Sequence, residues 1–188
     1  MTSPYYSIRE YPLQQGALEI AYIEEHFNEF PTRKTAGEIM GRLEGREFQI
    51  LMAEAPLVDD PTTVVPVSYK VSHELREQEN DPKLVDLVRR LRGVVGFDGQ
   101  RVLYNWLGAT RDDWRGQGHF RALTEEQEVW AVTEGYDVVV VKTKNRYYDM
   151  RGTLDSLQFN VIKLEPAPDP LDSKVYLGKR RGALGLVA

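Results

Sequence analysis

The stretch Leu107-Gly-Ala-Thr-Arg-Asp-Asp-Trp-Arg-Gly-Gln-Gly-His-Phe-Arg-Ala-Leu123 decides how the chain is read. It runs from a β-rich segment, through a short basic turn, into a helical pattern. Gly116 and Gly118 let successive backbone N–H groups come close together and point outward, because no Cβ stands in the way. A helix opening at such a turn adds its own unbonded N–H groups and the positive end of its dipole. That combination favours an anion, and a pyrophosphate is the natural guest. Arg115 adds a full positive charge nearby. A glycine pair ahead of a helix also occurs as plain turn punctuation, so the stretch alone leaves both readings open. It does not fit the usual nucleotide loops. No Gly-Lys-Ser/Thr ending follows, and the two glycines do not extend into a dinucleotide fingerprint.

The surrounding chain narrows the choice. Its 188 residues favour one domain, 1–188, with room for a substantial core. Hydrophobic residues make up 41% and charged residues 28%, an ordinary globular balance. No apolar run approaches the ~20 residues that span a bilayer, so no membrane partner is expected. Met1-Thr-Ser-Pro-Tyr-Tyr lacks a basic segment followed by an apolar one, and a cytoplasmic location is the expectation. With no cysteine, disulfides, thiolate zinc sites and a cysteine nucleophile are ruled out together. His26, His73 and His119 are scattered rather than ligand-spaced, so no metal site is expected. The formal charge of -5 argues against nucleic acid. The basic runs Arg89-Arg90-Leu91-Arg92 and Lys179-Arg180-Arg181 read as solvated faces.

Periodicity gives a strand at Tyr5 to Glu10, stopped by Pro12, and a helix from Gln14 to Phe30 with Leu18, Ala21, Tyr22 and Glu25 on one face. Pro31-Thr32 breaks it before a second helix, Thr35 to Leu43. Strands follow at Phe48 to Glu54 and Val64 to Glu74, the latter with Val65, Val67, Tyr69, Val71 and His73 on one face. Pro66 inside that run predicts a bend, a bulge or an edge. Asp81-Pro82 starts a helix striped by Leu84, Leu87, Val88 and Leu91, and Gly93 ends it. Arg101 to Thr110 is a strand, and a helix runs from near Gly116 to Glu134, with Phe120, Leu123, Gln127, Trp130 and Ala131 along one side. Val138-Val139-Val140-Val141 is the continuous apolar run of a strand covered on both faces. Tyr147, Met150, Leu154 and Leu157 mark a last helix, and Phe159 to Leu164 and Val175 to Lys179 are closing strands.

Arg115-Gly116-Gln117-Gly118-His119-Phe120 resembles the signature Q/R-x-x-G-x-G/A of the GNAT superfamily of acyl-CoA N-acyltransferases, and Ala109 to Trp114 resembles the loop before it. Further on, Lys142-Thr143-Lys144-Asn145 and Met150, then Gln158-Phe159-Asn160-Val161, resemble that family's second landmark: a strand ending in an asparagine turn, a helix, and a Gly-Phe pair opening the next strand. The likeness is good from about Leu103 to Arg180, fair for the first strand and two helices, and absent for residues 75 to 100. It implies an α/β fold: a mixed, mostly antiparallel central sheet of about six or seven strands, splayed at its middle, flanked by about four or five helices. Two departures stand out. Phe120 occupies the last small position of the signature, and Gln158 replaces the glycine of Gly-Phe.

The resemblance implies direct transfer of an acetyl (or short acyl) group from acyl-CoA, as co-substrate, to an amine of a small molecule or peptide. It assigns pantetheine and oxyanion contacts to the backbone of Leu107, Gly108, Ala109 and Thr110. Phosphate contacts fall to Arg115, Gly116, Gln117, Gly118, His119 and Phe120, with Asn145 from the second landmark. The family's general-acid tyrosine, one helical turn before its glycine, falls on Leu154, which donates nothing. Tyr147 lies too far along the helix axis to substitute and reads as packing; Tyr148, on a neighbouring face, is a weak candidate acid. The strand Arg101 to Thr110 holds no carboxylate base, which leaves His73 as a weak candidate with a suitable ordinary pKa of ~6.5. Residues 75 to 100 form a helical insertion before the fourth strand. They read as a cover for the acceptor site, as part of a homodimer contact, or as a helix on the domain's own sheet, the last being favoured. The alternative function is a non-catalytic module of the same fold, acting as an acyl-CoA sensor or a protein-interaction surface.

Overall fold

The structure is a computed structural model that describes residues 5–25 and 33–180. His26, the predicted helix end at Phe30, the break at Pro31-Thr32, and Arg181 lie outside the described residues. Seven strands form a sheet in the order β1-β2-β3-β4-β5-β7-β6. Neighbouring strands run antiparallel in β1–β2, β2–β3, β5–β7 and β6–β7, and parallel in β4–β5. The strands are β1 (Ser7–Glu10), β2 (Phe48–Pro56), β3 (Val64–Leu75), β4 (Val102–Thr110), β5 (Val138–Lys144), β6 (Asn160–Glu165) and β7 (Lys174–Arg180). The helices are α1 (Leu13–Glu24), α2 (Ala36–Leu43), α3 (Pro82–Leu91), α4 (His119–Thr133) and α5 (Tyr148–Ser156). Among the described residues no helix is long and apolar enough to cross a membrane. Contacts divide the chain into two compact units: Met1–His73 with Leu107–Gln127, and Glu74–Trp106 with Glu128–Ala188.

In the first unit, α1 begins directly after Pro12, whose ring cannot continue a strand ladder. Its buried face is Gly16, Ala17, Ile20, Ile23 and Glu24, not the predicted Leu18, Ala21, Tyr22 and Glu25. Leu18 is 56% exposed and Tyr22 59%. The reason is close approach: a Cβ on Gly16 would stand 2.7 Å from Ile50 Cδ1, so the face that carries this glycine, with Ile20 and Ile23, is the one that turns towards β2. Buried Glu24 is satisfied by the Tyr69 hydroxyl (2.7 Å) and the Lys34 N–H (2.5 Å). Thr35 caps α2 by accepting from the Glu38 N–H at 3.1 Å.

Pro66 makes a bulge, one of the predicted outcomes. Ala53 pairs with Ser68 and Glu54 with Pro66, so Val67 has no opposite number on β2. The extra residue breaks the expected alternation of β3. Val65 and Val67 pack with Leu51, Ala53 and Leu123 of α4, whereas Tyr69, Val71 and His73 pair with Met52, Ile50 and Phe48 and share the other face. Proline cannot donate to the ladder, and the strand absorbs that loss as a slip of one residue.

In the second unit, β4 and β5 pair in parallel only from Val102↔Val138 to Asn105↔Val141. Beyond that rung each strand continues without the other, β5 remaining paired to β7 as far as Lys144↔Lys174. Asp81 caps α3 by accepting from the Lys83 N–H at 2.8 Å, with Pro82 in the first turn. Leu84, Leu87, Val88 and Leu91 then pack on Tyr104, Val138, Val140 and Tyr176, so this segment lies on the sheet of its own unit. On the opposite face the second half of α4 sets Glu128 against Lys179 of β7 at 2.8 Å, both buried.

Candidate active site at the start of α4

The site belongs to the first unit, where the end of β4 leads into the turn ahead of α4. The Arg111 N–H donates to the Val67 carbonyl (2.9 Å), holding the strand end, and a short 3-10 turn follows at Asp112–Trp114. Arg115 folds back: its Nε donates to the Thr110 carbonyl at 3.1 Å and its guanidinium lies 3.0 Å from Asp112 Oδ1. It therefore braces the turn against the strand that precedes it. Gly116 (φ 74°) and Gly118 (φ 82°) both adopt the left-handed conformation that other residues avoid, while a Cβ at either would meet open space. Backbone shape, not crowding, requires glycine here.

Arg115 to Gly118 are exposed, and the helical ladder starts with the Ala122 N–H donating to the Gly118 carbonyl at 3.0 Å. The amides before it, those of Gly118, His119 and Phe120, have no partner in that ladder. N–H groups outside the ladder at the positive end of a fifteen-residue helix are groups to which an anion can bind.

His119 and Phe120 turn their side chains elsewhere. The His119 ring is 2% exposed, its centroid 4.0 Å from that of Tyr6 and 5.8 Å from that of Trp114. Its Nδ1 lies 2.6 Å from the Ser68 hydroxyl, and burial lowers its pKa. The His119 side chain therefore packs inside and leaves only its main-chain N–H to the turn. Phe120 sits under the Lys70 ammonium, 4.5 Å from the ring centroid. Lys70 is buried beside the turn, and only its alternate position in β3 marked it in the sequence. Leu107 to Thr110 leave the ladder with β5 and are only partly covered, with Gly108 exposed. His73 is completely buried opposite Phe48, with no surface on which to meet an amine.

In the second unit, Asn145 spends its side chain on the protein. Its Nδ2 donates to the Pro170 carbonyl (3.1 Å) and its Oδ1 accepts from Arg151, which fixes the turn after β5. Tyr148 is 60% exposed at the start of α5, and Leu154 is fully buried. Gln158 has φ 69°, and it closes α5 by a pair of bonds: its N–H to the Asp155 carbonyl (2.9 Å) and the Phe159 N–H to the Leu154 carbonyl (3.0 Å). The position is built for glycine although glutamine occupies it.

No protein-family model matches the chain, and no curated protein sequence does. Solved structures do match along nearly its whole length. Arabidopsis thaliana NAA60 in complex with acetyl-CoA is similar over 94% of this chain and 99% of its own, with a TM-score of 0.67 at 11% identity. The ribosomal-protein-S18-alanine N-acetyltransferase of Escherichia coli matches 93% of each chain at a TM-score of 0.64 and 12% identity. A GNAT-family protein of Desulfovibrio desulfuricans covers 93% of this chain and 98% of its own, with a TM-score of 0.63 and 16% identity. Identities this low carry architecture and nothing finer. The strand order, the parting of β4 from β5 and the glycine turn ahead of α4 together give this chain the fold of the GNAT acetyltransferases.

Proposed function

We propose that this chain is an N-acetyltransferase that moves an acetyl group from acetyl-CoA directly to an amine of a small molecule or peptide. One observation carries the reading: the left-handed glycine turn of Arg115 to Phe120, with ladder-free amides, stands where β4 hands over to α4. In this reading the main-chain N–H groups of Gly116 to Phe120 hold the pyrophosphate, with Arg115 beside them. The backbone of Leu107 to Thr110 guides the pantetheine and supplies an N–H to the oxyanion. The amine attacks the thioester carbonyl, the C–S bond breaks, and the ammonium proton is given up so that coenzyme A leaves as the thiol. The absence of cysteine agrees with transfer that needs no enzyme thioester.

Residues 1–188 act in this proposal as one catalytic domain with 75–100 as a helical insertion, working in the cytoplasm, with a homodimer as the assembly to be tested. Isothermal titration with acetyl-CoA and with coenzyme A tests the core of it. Micromolar binding of either is expected, and no binding by both would remove the reading. The fully buried Leu154 at the family's acid position favours a second reading, an acyl-CoA sensor or interaction module without turnover. Thiol release in the presence of an amine panel separates the two, since turnover of any member refutes the inert reading.

A further inference from the structure

The chain after α3 folds back on itself. The Val94 and Val95 N–H groups donate to the Leu91 carbonyl at 3.1 and 2.9 Å, and the Gln100 N–H donates to the Phe97 carbonyl at 3.3 Å. Val94 and Val95 pack with Val102 and Val138, the first rung of the β4–β5 pairing. Between this loop and the sheet lies a hollow of about 180 Å³, with Val94, Val95, Val138 and Ile162 in its wall. Every described residue of that wall belongs to the second unit. Register explains the opening. Gly178 pairs with Asn160 and Arg180 with Val138, so both β7 residues share the face that receives α3. Gly178 has no side chain to fill the space, and a Cβ there would stand 3.3 Å from the Ile162 side chain.

The edge of the hollow is polar. Gln100, Gln158, Asn160 and Arg180 also line it, and all four are exposed. Among the described residues, none of these side chains makes a hydrogen bond or ion pair, and no carboxylate lines the hollow. An apolar wall with one cation and three carboxamides at its edge is the composition of a small-molecule site, in which a few polar groups fix orientation. Gln158 supplies a second observation. Among the described residues it alone has a positive φ, 69°, without being glycine. Glycine would close α5 there without strain. Backbone strain of this kind persists where the side chain is put to use, and this amide stands at the hollow.

We propose that this hollow binds a small monocarboxylate with an apolar body. An apolar cavity of roughly 150 Å³ holds one benzene ring, so a single ring or a short branched chain fits. Arg180 takes the carboxylate through paired N–H···O bonds, and the amides of Gln158 and Asn160 donate to its remaining lone pairs. Val94, Val95, Val138 and Ile162 cover the body. The site sits at the first rung of the β4–β5 pairing and not at the last, Asn105↔Val141, where the strands part. It does not rest on the acetyltransferase reading. It gives the end of the insertion a task, since residues 94–100 form one wall.

Methyl-labelled NMR of the full chain, titrated separately with benzoate, benzyl alcohol and inorganic phosphate, tests the site. Benzoate is expected to shift the Val94, Val138 and Ile162 methyl signals to saturation while those of Leu18, in the first unit, stay in place. Benzyl alcohol has the ring without the charge and should bind about tenfold more weakly or worse. Phosphate has the charge without the ring and should leave these signals unmoved. Arg180→Gln, at an exposed position, should weaken benzoate about tenfold and leave benzyl alcohol unchanged. Gln158→Gly should raise Tm while lowering benzoate affinity, a combination that loss of structure cannot produce. Stationary methyl signals with benzoate would overturn the proposal. So would equal affinities for benzoate and benzyl alcohol, saturation of the same signals by phosphate, or undiminished benzoate binding by Arg180→Gln or Gln158→Gly.

Discussion

The Ser68 hydroxyl lies 2.6 Å from Nδ1 of His119, and both residues are buried. The contact joins the residue just past the β3 bulge to the first residue of α4. It anchors the start of the helix whose first amides are proposed to hold the pyrophosphate. The imidazole is packed against Tyr6, so the anchor is shielded from water on its other side.

Burial holds the His119 pKa below its ordinary value, so the unfolded chain binds a proton that the folded chain refuses. The stabilisation from a neutral His119 is therefore complete above the unfolded pKa of ~6.5 and is lost as pH falls through the lower folded value. Thermal unfolding measured from pH 7.5 to pH 5 should show a falling Tm, and His119→Gln should flatten that fall. One proton contributes at most about 1.4 kcal/mol per pH unit, which bounds the difference in slope. Identical slopes for both proteins would refute the assignment.

Gly118→Ala places a Cβ on a left-handed backbone at the head of α4, where there is space but the conformation is strained. The cost should be about 1–2 kcal/mol in urea unfolding. If the turn relaxes to relieve it, the amides lose their convergence and coenzyme A affinity should fall by about tenfold or more. An affinity equal to that of the parent chain would count against the proposed pyrophosphate contacts.

Gln158→Gly should stabilise the chain, because φ 69° at the end of α5 is strained for glutamine and free for glycine. After allowing for the greater freedom glycine gains in the unfolded chain, the gain is about 0.5–1 kcal/mol. For a chain of this size that corresponds to a Tm about 2 °C higher. A lower Tm in differential scanning calorimetry would contradict the reading of this position.

The buried pair Glu128 and Lys179, 2.8 Å apart, should be costly to break from either side. Glu128→Leu or Lys179→Met leaves one charge without its counter-ion in a covered site, with an expected loss of about 3–5 kcal/mol. Combining Glu128→Leu with Lys179→Met should recover most of it. Denaturant unfolding of the four proteins gives the coupling directly, and additive losses would show that the pair does not act as a unit.

The order of strands and helices was legible in the chain because each element carries its own local signal. Asp81-Pro82 starts α3, the valine run is β5, and glycines stand at turns where φ is positive. The glycine turn ahead of α4 was legible for the same reason: backbone conformation at Gly116 and Gly118 is a property of the residue itself. The inward stripe of α3 was legible too, whereas the inward sides of α1 and β3 were not. The faces of α1 and β3 depend on Gly16 meeting Ile50 and on the slip at Pro66, and both are settled by a partner strand distant in sequence. Nor could the sequence say that His119 turns into the core while its amide stays at the turn, or that Glu128 and Lys179 pair inside it. Conformational preference acts within a few residues of chain, whereas burial and charge proximity exist only once remote segments have packed together.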